Sequence, residues 1–399
     1  MSHATARSSP WTVFAVFLRL GLTSFGGPIA HLGYFRAEFV ERRGWLDDRG
    51  FTDVVALCQF LPGPASSQVG MAIGLGRAGW LGLLAAWTGF TLPSALLLMA
   101  FAYGIARFGA LADSGAVHGL KVAAVAVVAQ AVWGMGRSLC PDRPRAALAI
   151  LAALLTLTLP SAVGQVCAIA LGGLLGWRYV KRFPPAPSED FSFGVSRATG
   201  VIALSLFVLL LLGLPLLAVA LHSPMVSLAS GFYRAGALVF GGGHVVLPLL
   251  QAVVVPSGAV SNADFLAGYG AAQAIPGPLF AFAAYLGAVT HGPWGGWIGG
   301  VILLVVIFVP AFLLLVGTLP FWDALRRRMD VQATIAGVNA SVVGILLAAL
   351  YDPVWTSAIY SRADFGLGLA AFGLLVHARM SPFIVVALSA AAGWLLTFF

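Results

Sequence analysis

The stretch FLRLGLTSFGG, residues 17–27, is answered 215 positions later by FYRAGALVFGG, residues 232–242. Phe17-x-Arg19-x-Gly21 matches Phe232-x-Arg234-x-Gly236, and Phe25-Gly26-Gly27 matches Phe240-Gly241-Gly242. The correspondence continues in order along the chain. Gln59-x-x-Pro62-Gly63-Pro64 matches Gln273-x-x-Pro276-Gly277-Pro278 at an offset of 214, and Trp80-x-Gly82 with Pro93 matches Trp297-x-Gly299 with Pro310 at 217. Gly119-x-Lys121-x-Ala123 matches Gly337-x-Asn339-x-Ser341 at 218. Collinear pairs whose offset drifts by a few residues are what a duplication with small loop changes leaves behind, and such internal repeats are a mark of secondary transporters.

Composition places the repeats in a membrane. Of 399 residues 60% are hydrophobic and 9% charged, against about 25% charged in soluble domains. Runs such as ALLLMAFAYGIA (95–106) and VILLVVIFVPAFLLLVG (301–317) fit a bilayer span of roughly 20 apolar residues. The net charge of +8 would suggest nucleic acid in a soluble protein; here basic connectors on one face of a membrane explain it, and no nucleic-acid partner is expected. Cys58, Cys140 and Cys167 have no metal-ligand spacing and give no disulfide framework. Neither a metal nor a cofactor is implied. The polar first ten residues lead into an apolar segment without a small-residue cleavage site, so no signal peptide is expected. No GxxxxGK[ST] loop for a nucleoside triphosphate occurs.

The expected architecture is an all-α polytopic membrane protein of two homologous six-element halves. Residues 1–180 form the first repeat, 181–222 a Pro-rich linker (KRFPPAPSED, 181–190) with a connecting apolar segment at about 200–221, and 223–399 the second repeat. The elements run near 11–33, 52–76, 80–106, 117–138, 144–159 and 161–180, then 226–250, 264–291, 294–318, 331–351, 364–378 and 381–398. If every element crosses once, the connecting segment turns the second half upside down. The larger set of connector arginines and lysines then lies with the N-terminus, facing Arg36, Arg42, Arg43, Arg49, Arg107 and Arg362 on the other side, and the N-terminus is cytoplasmic. If the Pro-Gly-Pro elements are instead re-entrant hairpins, the bias inverts and the halves become parallel. Charge counting leaves both arrangements open.

The Pro-Gly-Pro motifs are the candidate site. Proline inside a helix removes a hydrogen bond and clashes with the preceding turn, and irregular backbone at membrane depth survives only against protein or a wet cavity. Each break creates a helix N-terminus inside the membrane, where free N–H groups favour an anion. After Pro62, Gly63 and Pro64 come Ser66, Ser67 and Gln68, with neutral donors; after Pro276, Gly277 and Pro278 come Leu279, Phe280 and Ala281, with backbone donors only. Gln59 and Gln273 precede the two breaks. Arg19 and Arg234 each cost about 2.5–3.5 kcal/mol at the centre of an apolar helix and offer a planar fork of donors to an oxyanion; snorkelling to the headgroups is the competing explanation. Ser24, Gly26, Gly27, Gly241 and Gly242 are small residues that let a ligand or backbone approach. Lys121 is an additional cation candidate near a helix end. His31 and His244, after the two FGG motifs, read as substrate donors or proton relays, or as packed polar residues. Asp53 and Asp264 read as helix-start residues. The excess of intramembrane positive groups points to an anionic cargo.

At these residues the chain resembles the chromate ion transporter family in its long, two-domain form. The resemblance is carried by FLRLGLTSFGGP, CQFLPGPASSQVG with GWLGLLAAWTGFTLPS, and FGGGHVVLPLL with QAIPGP. It implies chromate export across the bacterial inner membrane, chromate resistance, sulfate as the look-alike anion, and 13 spans with antiparallel halves. The N-terminus is then cytoplasmic and the C-terminus periplasmic. It also implies importance for Arg19, Pro62, Gly63 and Pro64. A dianion leaving a negative interior gains about 4.6 kcal/mol per 100 mV, so the membrane potential, or ion exchange, suffices as a driving force. A sulfate or general oxyanion permease is the nearest rival reading; a scramblase-like protein and an intramembrane enzyme are more distant ones. The expected partners are chromate or sulfate and the lipid bilayer, and a homodimer is compatible with the sequence.

Overall fold

The computed structural model describes residues 8–25, 27–107, 115–159, 162–180, 194–240, 243–292, 294–326 and 328–396, which are helical and contain no strand. Gly26, Gly241, Gly242 and the charged part of the linker lie outside them.

Helix α1 (Pro10–Thr23) starts on a Ser9 side-chain cap and stops at Ser24. The chain then doubles back. Helix α2 (Gly27–Arg36) and its π-helical continuation (Ala37–Arg42) return along α1, placing Phe35 and Phe39 against Phe17 with ring centroids 5.6 and 5.0 Å away. The return ends where the chain began. Trp45 packs under the Arg77 guanidinium at 5.1 Å, and the Ser8 N–H donates to the Arg77 carbonyl at 3.1 Å. Helix α3 (Asp48–Phe60), capped by the Asp47 side chain, rises from this same face to the first Pro-Gly-Pro.

Helix α4 (Ala65–Arg107) is two limbs. Ala78 and Gly79 (φ 65°) leave helical geometry, and the chain reverses so tightly that a Cβ on Gly74 would stand 2.3 Å from the Gly82 carbonyl oxygen. The first limb descends from the Pro-Gly-Pro tip to Arg77; the second crosses to the opposite face. Both early elements are therefore re-entrant hairpins opening at the N-terminal face. Helices α5 (Gly115–Leu139), α6 (Arg143–Thr158), α7 (Ala162–Tyr179) and α8 (Arg197–Leu221) follow.

The second half repeats the plan. Helices α9 (Pro224–Leu238) and α10 (Val246–Val254) form a hairpin in which Val253 crowds Gly231, and α11 (Asn262–Ala274) and α12 (Phe282–Val289) form another, closed by a Tyr285 hydroxyl donating to the Asp264 carbonyl at 2.8 Å. Helix α13 (Gly296–Thr318) begins at the opposite face, beside the end of α4. There Trp297 stacks on Tyr103 at 5.5 Å and its N–H donates to the Tyr103 hydroxyl at 3.0 Å. The hairpins of the second half thus open at the opposite face, and the halves are inverted. Helices α14 (Met329–Ala349), α15 (Arg362–Val376) and α16 (Pro382–Leu396) complete it.

Glycines set the helix spacing. Gly21 and Gly89 bring α1 onto the second limb of α4, and Gly236 does the same for α9 on α13; small residues at such contacts are how helices associate where lipid is as apolar as leucine. The connecting helix α8 covers α9, with the Tyr233 hydroxyl donating to the Phe207 carbonyl at 3.0 Å. Helices α5–α7 and α14–α16 form a second bundle, joined at Gly119 on Ser389 and Gly176 on Gly337.

Two expectations change. The elements near 11–33 and 52–76, and their counterparts near 226–250 and 264–291, do not cross; each turns back. Among the described residues, the 13 expected spans become nine through-going helical segments and four hairpins. Because each half loses two crossings, an even number, the inversion of the halves survives. The Arg36–Arg49 connector also changes sides. Arg36 pairs with Asp48 at 2.7 Å, and Glu38 holds Arg42 and Arg43 at 2.9 and 2.6 Å, all at the N-terminal face with Trp45 and Arg77. Among the described residues, Arg107 and Arg362 are the connector arginines left at the opposite face.

Thiol labelling tests the hairpins. In a background with Cys58, Cys140 and Cys167 replaced, Glu41→Cys and Arg143→Cys are expected to react from the same side of the membrane and Tyr360→Cys from the other. Labelling of Glu41→Cys from the Tyr360 side would show that α1 and α2 cross as one span.

Candidate anion site at the hairpin tips

A hairpin tip inside a membrane carries backbone groups that helices cannot satisfy, and each unpaired group costs several kcal/mol. The two halves satisfy one another. The Gly63 N–H of the first Pro-Gly-Pro donates to the Val239 carbonyl at the second FGG tip (2.6 Å), and the Gly277 N–H of the second Pro-Gly-Pro donates to the Ser24 carbonyl at the first FGG tip (2.9 Å). The exchange relates equivalent positions by the same inversion that relates the halves. Gly63 and Gly277 adopt φ of 121° and 102°, a region open to glycine, and each is pressed by a crossing helix. A Cβ would meet Ala311 of α13 at 3.0 Å from Gly63, and Ser94 of α4 at 2.9 Å from Gly277.

Four helices, α2, α4, α10 and α12, start at or just past this meeting place, the last two after a 3-10 turn. Their N-terminal dipoles raise the potential there. The polar lining is unequal. Ser24, His31, Ser66, Ser67, Gln68, Thr91 and Ser94 are buried and all belong to the first half. The matching second-half positions near the tips carry Phe280, Ala281, Phe308 and Ala311. The Gln68 Nε2 donates to the Pro62 carbonyl at 3.0 Å, the Ser94 hydroxyl to the Thr91 carbonyl at 2.9 Å, and the His31 Nδ1 sits 3.3 Å from the Ser66 Oγ. Among the described residues, Ser24 Oγ, Ser67 Oγ, Gln68 Oε1, Thr91 Oγ1 and Gln273 Nε2 are buried without a hydrogen-bond partner. Buried polar atoms are normally paired, so this cluster is chemically primed for a polar ligand.

The structure brings together Ser24, Gly27, Pro62, Gly63, Pro64, Ser66, Ser67, Gln68, His244, Gln273, Pro276, Gly277 and Pro278 in the two pairs of hairpins. Gln59 is exposed on α3. Arg19 is exposed on the outer face of α1 and Arg234 half-buried on α9; among the described residues, neither guanidinium is brought to the tips by a hydrogen bond or ion pair. Lys121 is half-buried on α5, in the second bundle. Thr91 and Ser94 were missed by sequence reasoning although they lie in GFTLPS (89–94). Their signal was a pair of hydroxyls flanking the repeated mid-helix Pro93, whose counterpart Pro310 is flanked by Phe308 and Ala311.

The model of the family described as chromate transporter matches residues 11–177 and 226–394, the segments that form α1–α7 and α9–α16. A chromate transport protein of Pseudomonas aeruginosa is 30% identical over 396 residues, covering 96% of this chain and 91% of that protein. A probable chromate transport protein of Synechococcus elongatus is 26% identical (89% and 87% covered), and a chromate transport protein of Cupriavidus metallidurans 27% identical (84% and 80% covered). No solved structure matches the chain.

Gly63→Ala and Gly277→Ala each force a side chain into a left-handed conformation, at about 1–2 kcal/mol, and into an occupied space. Each is expected to lower the melting temperature of the detergent-purified protein, whereas Gly366→Ala, on open surface of α15, should leave it equal or slightly raised, since Ala is favoured over Gly inside a helix.

Proposed function

We propose that this chain, which belongs to the chromate transporter family, moves chromate out of the cytoplasm across the inner membrane of a bacterium through the meeting place of its hairpin tips, and so confers chromate resistance. The observation that carries the proposal is the cluster of unpartnered buried hydroxyls, with the Gln273 amide nitrogen, beside helix N-termini at the reciprocal bonds between the halves. A tetrahedral oxyanion presents acceptors, and this place presents N–H and O–H donors in a region with no carboxylate at the tips. Neutral donors of this kind replace an anion's water shell without binding it so tightly that release fails.

The faces give direction. Crowding of the described connector arginines at the N-terminal face makes that face cytoplasmic under the positive-inside rule, with the N-terminus inside and the C-terminus in the periplasm. A dianion leaving through such a protein gains about 4.6 kcal/mol per 100 mV from a negative interior. Arg19 is exposed partway along α1, between the cytoplasmic face and the tip. At that depth its cost is about 2.5–3.5 kcal/mol, and a role in drawing anions towards the tip accounts for it. Sulfate shares the tetrahedral geometry and charge of chromate and is the second substrate by the same chemistry.

Flux of radiolabelled chromate and sulfate from liposomes at set potentials tests the reading. Chromate release that accelerates as the source compartment is made more negative is expected; a protein that conducts neither anion contradicts it. Arg19→Ala is expected to lower flux at low anion concentration by roughly tenfold or more without removing the protein from the membrane. Ser67→Ala is expected to reduce flux more than Ala281→Ser, since the hydroxyls lie in the first half; equal effects would remove that inequality.

A further inference from the structure

His31 and His244 hold comparable posts in the two halves. Each stands just beyond an FGG tip, and each is tied through Nδ1 to a hydroxyl of its own half's Pro-Gly-Pro hairpin. His31 reaches the Ser66 Oγ at 3.3 Å and His244 the Tyr269 hydroxyl at 2.9 Å. His31 is 2% exposed, stands edge-on to the Phe90 ring at 5.3 Å, and its Nε2 has no hydrogen-bond partner among the described residues. The His244 Nε2 lies 3.9 Å from where a Cβ on Gly27 would stand. The second half's imidazole therefore reaches the first residue of α2, one helical turn before His31 on the same helix. Two imidazoles from opposite halves flank a single tip.

The other titratable and charged groups on the surrounding elements stand farther along those elements or do not ionise near neutrality. Arg19 is on the outer face of α1, Cys58 is buried on α3, and Glu38 at the open end of the first hairpin is held by Arg42 and Arg43. Arg77 ends the first limb of α4. In the second half Arg234 is on α9, Tyr269 and Tyr285 are buried phenols, Asp264 is engaged by the Ser261 hydroxyl at the open end of its hairpin, and Asp330 is in the first turn of α14. Among the described residues, the tips carry no carboxylate, and their two imidazoles are the side chains there that can take up a full positive charge once a bound dianion offsets the cost of burying it. Backbone N–H groups and hydroxyls supply only partial charge against a dianion.

We propose that His31 and His244 form a protonatable pair that takes up one proton between them and offsets part of the charge of the tetrahedral dianion, so that a proton travels with the anion and net negative charge still moves. The inference rests on the reading of the chain as an oxyanion transporter. The Nδ1–hydroxyl contact orients each ring and leaves Nε2 to take the proton. The step is a protonation and nothing more: water on the loading side gives a proton to Nε2, an N–H bond forms and the imidazolium carries one positive charge. On the releasing side that N–H bond breaks, the proton returns to water and the neutral ring is restored.

The test uses the full chain in liposomes with chromate and sulfate as probes, potential clamped, pH varied together on both sides between about 5.5 and 8.5. Charge per anion is read from the reversal potential. Fewer than two charges per anion are expected in the unaltered protein, with flux falling by up to about tenfold per pH unit as the pH rises across that interval. His31→Gln and His244→Gln should flatten that profile and raise the charge per anion towards two. Flux independent of pH with two charges per anion in the unaltered protein overturns the pairing while leaving the transport reading intact; no flux of either anion at any pH overturns the transport reading itself. Because the unaltered protein decides both points, misfolding of a variant does not blunt the test.

Discussion

Backbone that turns around inside a membrane has to find hydrogen bonds without water. In this protein that constraint is met by trading: Gly63 bonds to Val239 and Gly277 to Ser24, so the tips of one half are closed by the carbonyls of the other. The rest of the arrangement depends on this exchange. It requires two inverted copies, because equivalent positions must face each other. It requires glycine at the donors, because the chain passes there with positive φ under a crossing helix. It also gathers the starts of several helices in one place, and with them a positive potential that no charged side chain at the tips has to supply.

The copies have diverged in polarity at the tips. Near-equal backbones carry Ser66 and Ser67 in one half against Phe280 and Ala281 in the other, and Thr91 and Ser94 against Phe308 and Ala311. Polar wall and apolar wall therefore meet across the inversion. An anion needs donors on one side and benefits from water exclusion on the other, where low dielectric strengthens each donor's pull. The outer bundle of α5–α7 and α14–α16 packs through its own glycine contacts and meets the tip-bearing hairpins chiefly through α11, where Gly270 lies on the Leu120 carbonyl. Two internally well-packed bodies with a narrower junction are the form in which rigid parts shift against one another.

Most of the architecture was legible in the sequence because duplication leaves collinear motifs, and composition leaves no alternative to a membrane. The offsets of 214 to 218 located the first four elements of each half, and hydropathy located the last two. Hydropathy could not tell a helix that crosses from one that returns. Residues 11–33 are long and apolar enough to cross, and only the packing of Phe35 and Phe39 back onto Phe17 reveals the turn. The inversion was nevertheless inferred correctly, since two misjudged crossings per half cancel. Charge counting put Arg36, Arg42, Arg43 and Arg49 on the wrong side, since their side depends on that same turn, and their transfer to the N-terminal face adds to the bias already counted there. At the site, the Pro-Gly-Pro motifs announced themselves through backbone chemistry. Thr91 and Ser94 did not: Ser94 faces Gly277 of the other half and bonds to the Thr91 carbonyl, an arrangement that no local pattern encodes.

Electron cryomicroscopy of the protein in lipid nanodiscs with selenate, a heavier tetrahedral dianion, tests the central claim most directly. Density for the anion within hydrogen-bond distance of the Ser24, Ser66 or Ser67 hydroxyls, at the crossing of the Gly63–Val239 and Gly277–Ser24 bonds, is the predicted result. Anion density confined to another part of the molecule, with the tips unoccupied at saturating selenate, would contradict it.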